Sequence, residues 1–135
     1  QALGLEIFHN FTLLHDDVMD NADIRRGRPA VHRKWNAGTA TLSGDAMLTL
    51  ATEYIADCPA DKLQTVLRLF NDTAMQIYQG QQLDMEIEHR DDVTVNEYMK
   101  MIRLKTSVLL DVPAAWGPSS PVHPKKLAKT CTAMA

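Results

Sequence analysis

Apolar residues recur at Leu3, Ile7, Phe11, Leu14 and Val18, a step of three to four that sets them along one helix face. The step is already running at Gln1 with no capping residue ahead of it, which reads as a helix entered part-way. The chain is therefore expected to be a piece of a longer protein. Asn21 to Ala37, carrying Gly27 and Pro29, reads as a loop. A second helix is predicted from about Thr39 to Ala56, with Leu42, Ala46, Leu50 and Tyr54 turned inward. Pro59 closes the next connection, and Asp61 opens a long third helix to about His89. Its apolar face is Leu63, Val66, Leu67, Phe70, Ala74, Ile77 and Leu83. A fourth helix opens on the capping box Thr94-x-x-Glu97, in which each side chain satisfies the other's free backbone N–H. It runs through Tyr98, Ile102 and Leu109 to Pro113.

Strand-like alternation is confined to short stretches and no internal repeat is visible, so the fold class is all-α. Past Asp111 the pattern is lost, and four of the six prolines fall there. Residues 1–110 are expected to form a partial helical domain and 111–135 a divergent Pro-rich tail.

Composition narrows the partners. A net charge of −3 with no concentrated basic stretch argues against nucleic acid. The two cysteines, Cys58 and Cys131, form neither a disulfide framework nor a zinc spacing, which fits a reducing compartment. No apolar run is long enough to span a membrane and no signal peptide is visible. The expectation is a cytoplasmic protein.

The stretch LLHDDVMDNADIRRGR, ending at Arg28, holds the candidate chemistry. Asp16, Asp17 and Asp20 share one helix face by their spacing, and their mutual repulsion needs a positive partner. Carboxylates are hard ligands that suit Mg²⁺ shared with substrate phosphates. Arg25 and Arg26 follow, the residue type that grips phosphate with two parallel donors. They lie beyond helical i,i+4 pairing, which weakens a purely local salt bridge. Metal-holding acids beside phosphate-holding arginines suggest a diphosphate site; a solvated acidic face is the alternative.

His9, two turns before Asp16, shares the acid face, as a phosphate donor or as a satisfied core histidine. On the third helix Gln81 and Asp84 share a face, and Asp84 is either a second metal carboxylate or an exposed acid. Lys105 and Thr106 interrupt apolar residues of the fourth helix. They can contact phosphate oxygens, or they are a snorkelling lysine and a back-bonded threonine.

Taken in order, LLHDDVMDNADIRRGRPAVH, SGDAML, GQQLD and KTS resemble the trans-type isoprenyl diphosphate synthases over about Gln1 to Leu110. The resemblance implies a helical bundle of the isoprenoid synthase type, here incomplete, around a deep apolar pocket. It implies an Mg²⁺-dependent condensation of an allylic diphosphate with isopentenyl diphosphate, through ionisation, attack by the double bond and loss of a proton. Asp16, Asp17 and Asp20 match the DDxxD that binds Mg²⁺, with Asp84 contributing through water. Arg25, Lys105 and Thr106 match the residues on the allylic diphosphate, His9 and Arg26 those on isopentenyl diphosphate, and Gln81 the first polar residue of GQxxD. Phe11 and Thr12, five and four residues before the acids, with Phe8 a turn earlier, match the pocket floor. A bulky floor limits ligand length, and Phe11 implies short products, about C15 to C20. The family usually forms homodimers.

Two parts of that pattern are missing from these residues: the second aspartate-rich motif and the basic Gly-Lys-Arg segment that precedes the first helix. The chain by itself is therefore expected to be catalytically incompetent. Three other readings compete. A terpene cyclase shares fold and DDxxD, but the arginine pair favours elongation. A non-catalytic partner subunit would keep half the site. A metal phosphohydrolase would use His15-Asp16 as an HD pair and gives Lys105 and Thr106 no role.

Overall fold

A computed structural model describes residues 1–109, so Pro113, Cys131 and the Pro-rich tail lie outside the described residues. The described residues divide into two compact units, Gln1–Leu67 and a second that begins at Arg68. Helices dominate both, as the all-α expectation requires.

In the first unit, α1 (Ala2–Met19) packs on α3 (Ala37–Ala56). A Cβ added at Gly4 would stand 2.7 Å from Ile55 Cγ1 and 3.0 Å from the Ala51 carbonyl oxygen. At the far end, a Cβ on Gly44 would overlap the His15 ring. The two helices therefore run antiparallel with a glycine at each end of the contact. Close approach explains which residues are buried. On α3 these are Ala40, Gly44, Ala51 and Ile55, whereas Leu42 (71% exposed), Leu50 (43%) and Tyr54 (39%) face away, and Ala46 is exposed as well. The predicted inward face of this helix is thus corrected. At the glycines the backbones come close, so small residues (Ala40, Gly44, Ala51) fill most of the α3 side of the contact and Ile55 packs over Gly4. On α1 the buried set is Gly4, Leu5, Phe8, Phe11 and Asp17, and Leu3 is 54% exposed, about one residue out of phase with the expected stripe.

The segment read as a loop contains more order than expected. Helix α1 ends in a Schellman closure: the Ala22 amide donates to the Asp17 carbonyl at 3.0 Å, and Asn21 takes φ 52°. Two-residue strands β1 (Ile24–Arg25) and β2 (Arg28–Pro29) pair antiparallel. The turn between them, Arg26-Gly27, has positive φ at both residues (52° and 75°), as a two-residue hairpin with right-handed strand twist demands. The short helix α2 (Val31–Lys34) follows. Helix α3 begins two residues earlier than predicted because Asn36 caps it, its side chain accepting from the Thr39 amide at 2.8 Å.

Helix α4 (Leu63–Ile87) starts after a turn in which the Lys62 amide donates to the Pro59 carbonyl, so Asp61 precedes the helix and does not open it. In the second unit its buried side is Phe70, Thr73, Ala74, Ile77 and Gly80, with Leu83 half-buried. Helix α5 (Val95–Ile102) opens on the predicted capping box; the Glu97 carboxylate accepts from the Thr94 amide at 2.9 Å. It does not continue as one α-helix. Arg103–Ser107 widens into a π-helical turn before helix resumes at Val108. A Cβ on Gly80 would stand 2.7 Å from both Leu104 C and Lys105 Cα, so the wide turn rests backbone-on-backbone against α4. Met101 of α5 and Val108 just past the turn are buried, and Tyr98 is exposed.

Candidate functional site

The acids of the first unit divide by position. Asp17 is buried, and the Asp16 side chain is 17% exposed. Asp20, the residue that caps α1, is exposed. A solvated acidic face is therefore excluded for the first two. The hairpin explains how they are tolerated there. Its short return brings Arg25 back over the end of α1, where Nε donates to Asp17 Oδ1 at 2.9 Å and Oδ2 at 3.1 Å. Nη2 donates to Asp17 Oδ1 and, at 3.4 Å, to Asp16 Oδ2. The expectation that the arginines stand too far away for a local ion pair is corrected: chain reversal supplies a contact that helical spacing cannot. Hydrogen bonding to Asp17, aided by the charges of Asp17 and Asp16 and opposed by partial burial, holds the Arg25 guanidinium pKa above its ordinary value. Arg26 occupies the turn and is exposed.

Two residues outside the predicted set secure the hairpin. Arg33 Nε forms an ion pair with Asp23 Oδ1 at 2.8 Å, and Arg33 Nη2 donates to the Asn21 carbonyl at 3.1 Å. The Ala30 amide closes the base onto the Asp23 carbonyl at 3.0 Å. Behind the acids, His15 Nε2 donates to the Thr41 carbonyl at 3.2 Å, and its ring meets Phe11 edge-on at 4.6 Å. Phe8 and Phe11 are both buried, 5.6 Å apart. The Thr12 hydroxyl back-bonds to the His9 carbonyl at 2.8 Å. His9 is half-buried on α1.

In the second unit, Lys105 Nζ donates to Asp84 Oδ2 at 2.6 Å, with both side chains about three-quarters buried. A snorkelling lysine and an exposed acid are both excluded. The π turn presents Lys105 toward α4, and Gly80 lets the two backbones approach closely enough for the pair to form. Such turns are frequent where a helix must aim a functional side chain. Gln81 carries a buried Nε2 for which the described residues offer no acceptor, and Thr106 is exposed. The predicted residues thus assemble as two clusters, Asp16–Asp17–Arg25 and Asp84–Lys105. The glycines Gly44 and Gly80 were not singled out from the sequence, although SGDAML and GQQLD each carry one.

Among the described residues, no three His, Cys, Asp or Glu side chains are gathered closely enough to hold a metal ion by themselves. The donor chemistry nonetheless suits Mg²⁺. Asp16 and Asp17 offer hard oxygens from a part-buried position, and a magnesium ion ordinarily completes its shell with water and substrate phosphate.

The polyprenyl synthetase family model matches residues 2–132. The chain belongs to that family. It is 44% identical over 110 residues to a geranylfarnesyl diphosphate synthase of Natronomonas pharaonis, covering 80% of this chain and 32% of the relative. It is 42% identical over 118 residues to a geranylgeranyl diphosphate synthase of Methanosarcina mazei, covering 86% and 36%. Among solved structures, a geranylgeranyl pyrophosphate synthetase from Pyrococcus horikoshii superposes with TM-score 0.84 at 36% identity, over 95% of this chain and 40% of that one. The helical fold of these enzymes is therefore the fold of this member of the polyprenyl synthetase family. The chain spans about a third of the length of the curated relatives it matches. No helix among the described residues is long and apolar enough to cross a membrane.

Proposed function

We propose that this chain carries part of the active site of an Mg²⁺-dependent trans-prenyltransferase, which condenses an allylic diphosphate with isopentenyl diphosphate to a short prenyl diphosphate. The observation that carries this reading is the part-buried Asp16–Asp17–Arg25 cluster, found in a chain of the polyprenyl synthetase family. Paired carboxylates and a guanidinium at one place are the two chemistries that a magnesium diphosphate needs. In this reading Asp16, Asp17 and Asp20 hold Mg²⁺, and Asp84 contributes through water. Bound with the diphosphate, the metal supplies positive charge that stabilises the leaving group.

The chain's own residues do the rest. Arg25 and Lys105 each already hold a carboxylate within its own unit, so each is a cation that a phosphate oxygen can take over. Lys105, Arg25 and Thr106 bind the allylic diphosphate, while His9 and Arg26 bind that of isopentenyl diphosphate. The buried Gln81 Nε2 is a donor suited to a ligand oxygen. Phe8, Phe11 and Thr12 form the floor that limits the product to about C15 to C20, an apolar pocket being bounded by its bulkiest lining residues. The working form is a homodimer, as the family resemblance implies, in the cytoplasm, which the two widely separated cysteines suit.

Calorimetry with Mg²⁺, alone and with inorganic pyrophosphate, tests the site. Binding should be weak with Mg²⁺ alone and at least tenfold tighter with pyrophosphate, because substrate oxygens complete the octahedron. Equal affinity in both titrations would refute the reading.

A further inference from the structure

The histidine directly ahead of the acids has no part in the site as described, yet it is held on three sides. Its Nε2 donates to the Thr41 carbonyl at 3.2 Å, its ring lies edge-on to Phe11 at 4.6 Å, and its Nε2–Cδ2 edge lies against Gly44. Asp45 Oδ1 stands 3.8 Å from the same nitrogen. A Cβ on Gly44 would overlap Nε2 and Cδ2 of the ring, both part of a rigid plane rather than the loose end of a flexible chain. Ring and glycine fit as a key fits a seat.

We infer that His15 is a positioning residue that fixes the rotation of α1 on α3, and that Gly44 is the seat admitting it. Successive helix residues turn by about 100°. Locking His15 against α3 therefore sets the directions in which Asp16 and Asp17, the next two residues, project. Those directions are the ones that meet Arg25 returning from the hairpin. Any side chain at position 44 displaces the ring and turns or lifts the end of α1. The close approach of Gly4 to Ile55 lies at the opposite end of this helix. This assignment rests on the proposed role of the two acids in holding Mg²⁺ with diphosphate.

The test uses the full chain and Gly44→Ala, His15→Ala, the double variant and His15→Gln. Two quantities are read: the thermal midpoint, and Mg²⁺–pyrophosphate affinity by calorimetry well below that midpoint. Misplacing a binding group by about an ångström can cost roughly a hundredfold, so Gly44→Ala and His15→Ala should each weaken affinity at least tenfold. The double variant should bind no worse than His15→Ala, since removing the ring removes the overlap. His15→Gln keeps a donor for the Thr41 carbonyl and should bind within about threefold of the parent. If Gly44→Ala does not fold, His15→Ala against His15→Gln decides the matter. A Gly44→Ala protein that melts earlier but binds like the parent would overturn the inference, as would parent-like affinity in His15→Ala. A parent chain that fails to bind Mg²⁺–pyrophosphate refutes instead the site reading on which the inference rests.

Discussion

Asp17 shows how one buried charge organises its neighbours. A carboxylate this deeply placed is unfavourable unless paired, and Arg25 answers it with two donor nitrogens. Losing one partner of a fully buried pair costs about 3–5 kcal/mol. The Arg25 side chain is 38% exposed, so solvent screening reduces the expected loss for Arg25→Ala to about 2 kcal/mol. Arg25→Lys should recover only part of it, because an ammonium cannot match the two-pronged geometry. Urea unfolding checks this; a loss below about 0.5 kcal/mol, the value of an exposed ion pair, would mean that Asp17 is sustained by other contacts. Phe11 makes a second residue-scale case. It is buried against Phe8 and His15, so Phe11→Ala should destabilise by about 3 kcal/mol. Any lengthening of products by that substitution in a complete enzyme has to be measured at a temperature where the variant stays folded.

At the scale of elements, a chain reversal aims Arg25. The hairpin depends on Gly27 at φ 75°, where an L side chain is strained although space is open around it. Gly27→Val should cost about 1–2 kcal/mol and loosen Arg25, seen as faster amide exchange from residues 24 to 29; unchanged exchange would contradict the dependence. The capping box of α5 gives a pH prediction. The backbone hydrogen bond from Thr94, then its hydroxyl and Arg90, hold the Glu97 pKa below its ordinary 4.5. With a folded-state pKa below the unfolded one, the contribution is complete above about pH 4.5 and is lost as pH falls through the lower folded-state value. In Glu97→Gln that acid-side loss should be absent from the amide shift of Thr94 followed by NMR. A titration step of the same size in the variant would assign it to another group.

For the molecule as a whole, the prediction is that the 135-residue chain makes no product from geranyl diphosphate, isopentenyl diphosphate and Mg²⁺. One aspartate-rich motif supplies one wall of charge around the leaving diphosphate, and a single lost oxyanion donor already costs roughly 3 kcal/mol of barrier. Product formation at about one turnover per second, an ordinary enzymatic rate, would show that these residues suffice.

The sequence by itself determined the helical class, the capping box at Thr94, the Phe70–Ala74–Ile77 face of α4, and the family, through DDxxD, the arginine pair, GQxxD and Lys-Thr in order. These are legible because they rest on local periodicity, local hydrogen bonds and motif spacing, which the chain carries wherever it folds. Tertiary structure alone decided the inward face of α3, the ion pairs of Arg25 and Lys105, and the π turn that presents Lys105. Each depends on how closely two backbones meet: Gly44 and Gly80 permit an approach that periodicity does not encode, and that approach sends Leu42 and Leu50 outward while bringing His15 and Lys105 against their partners.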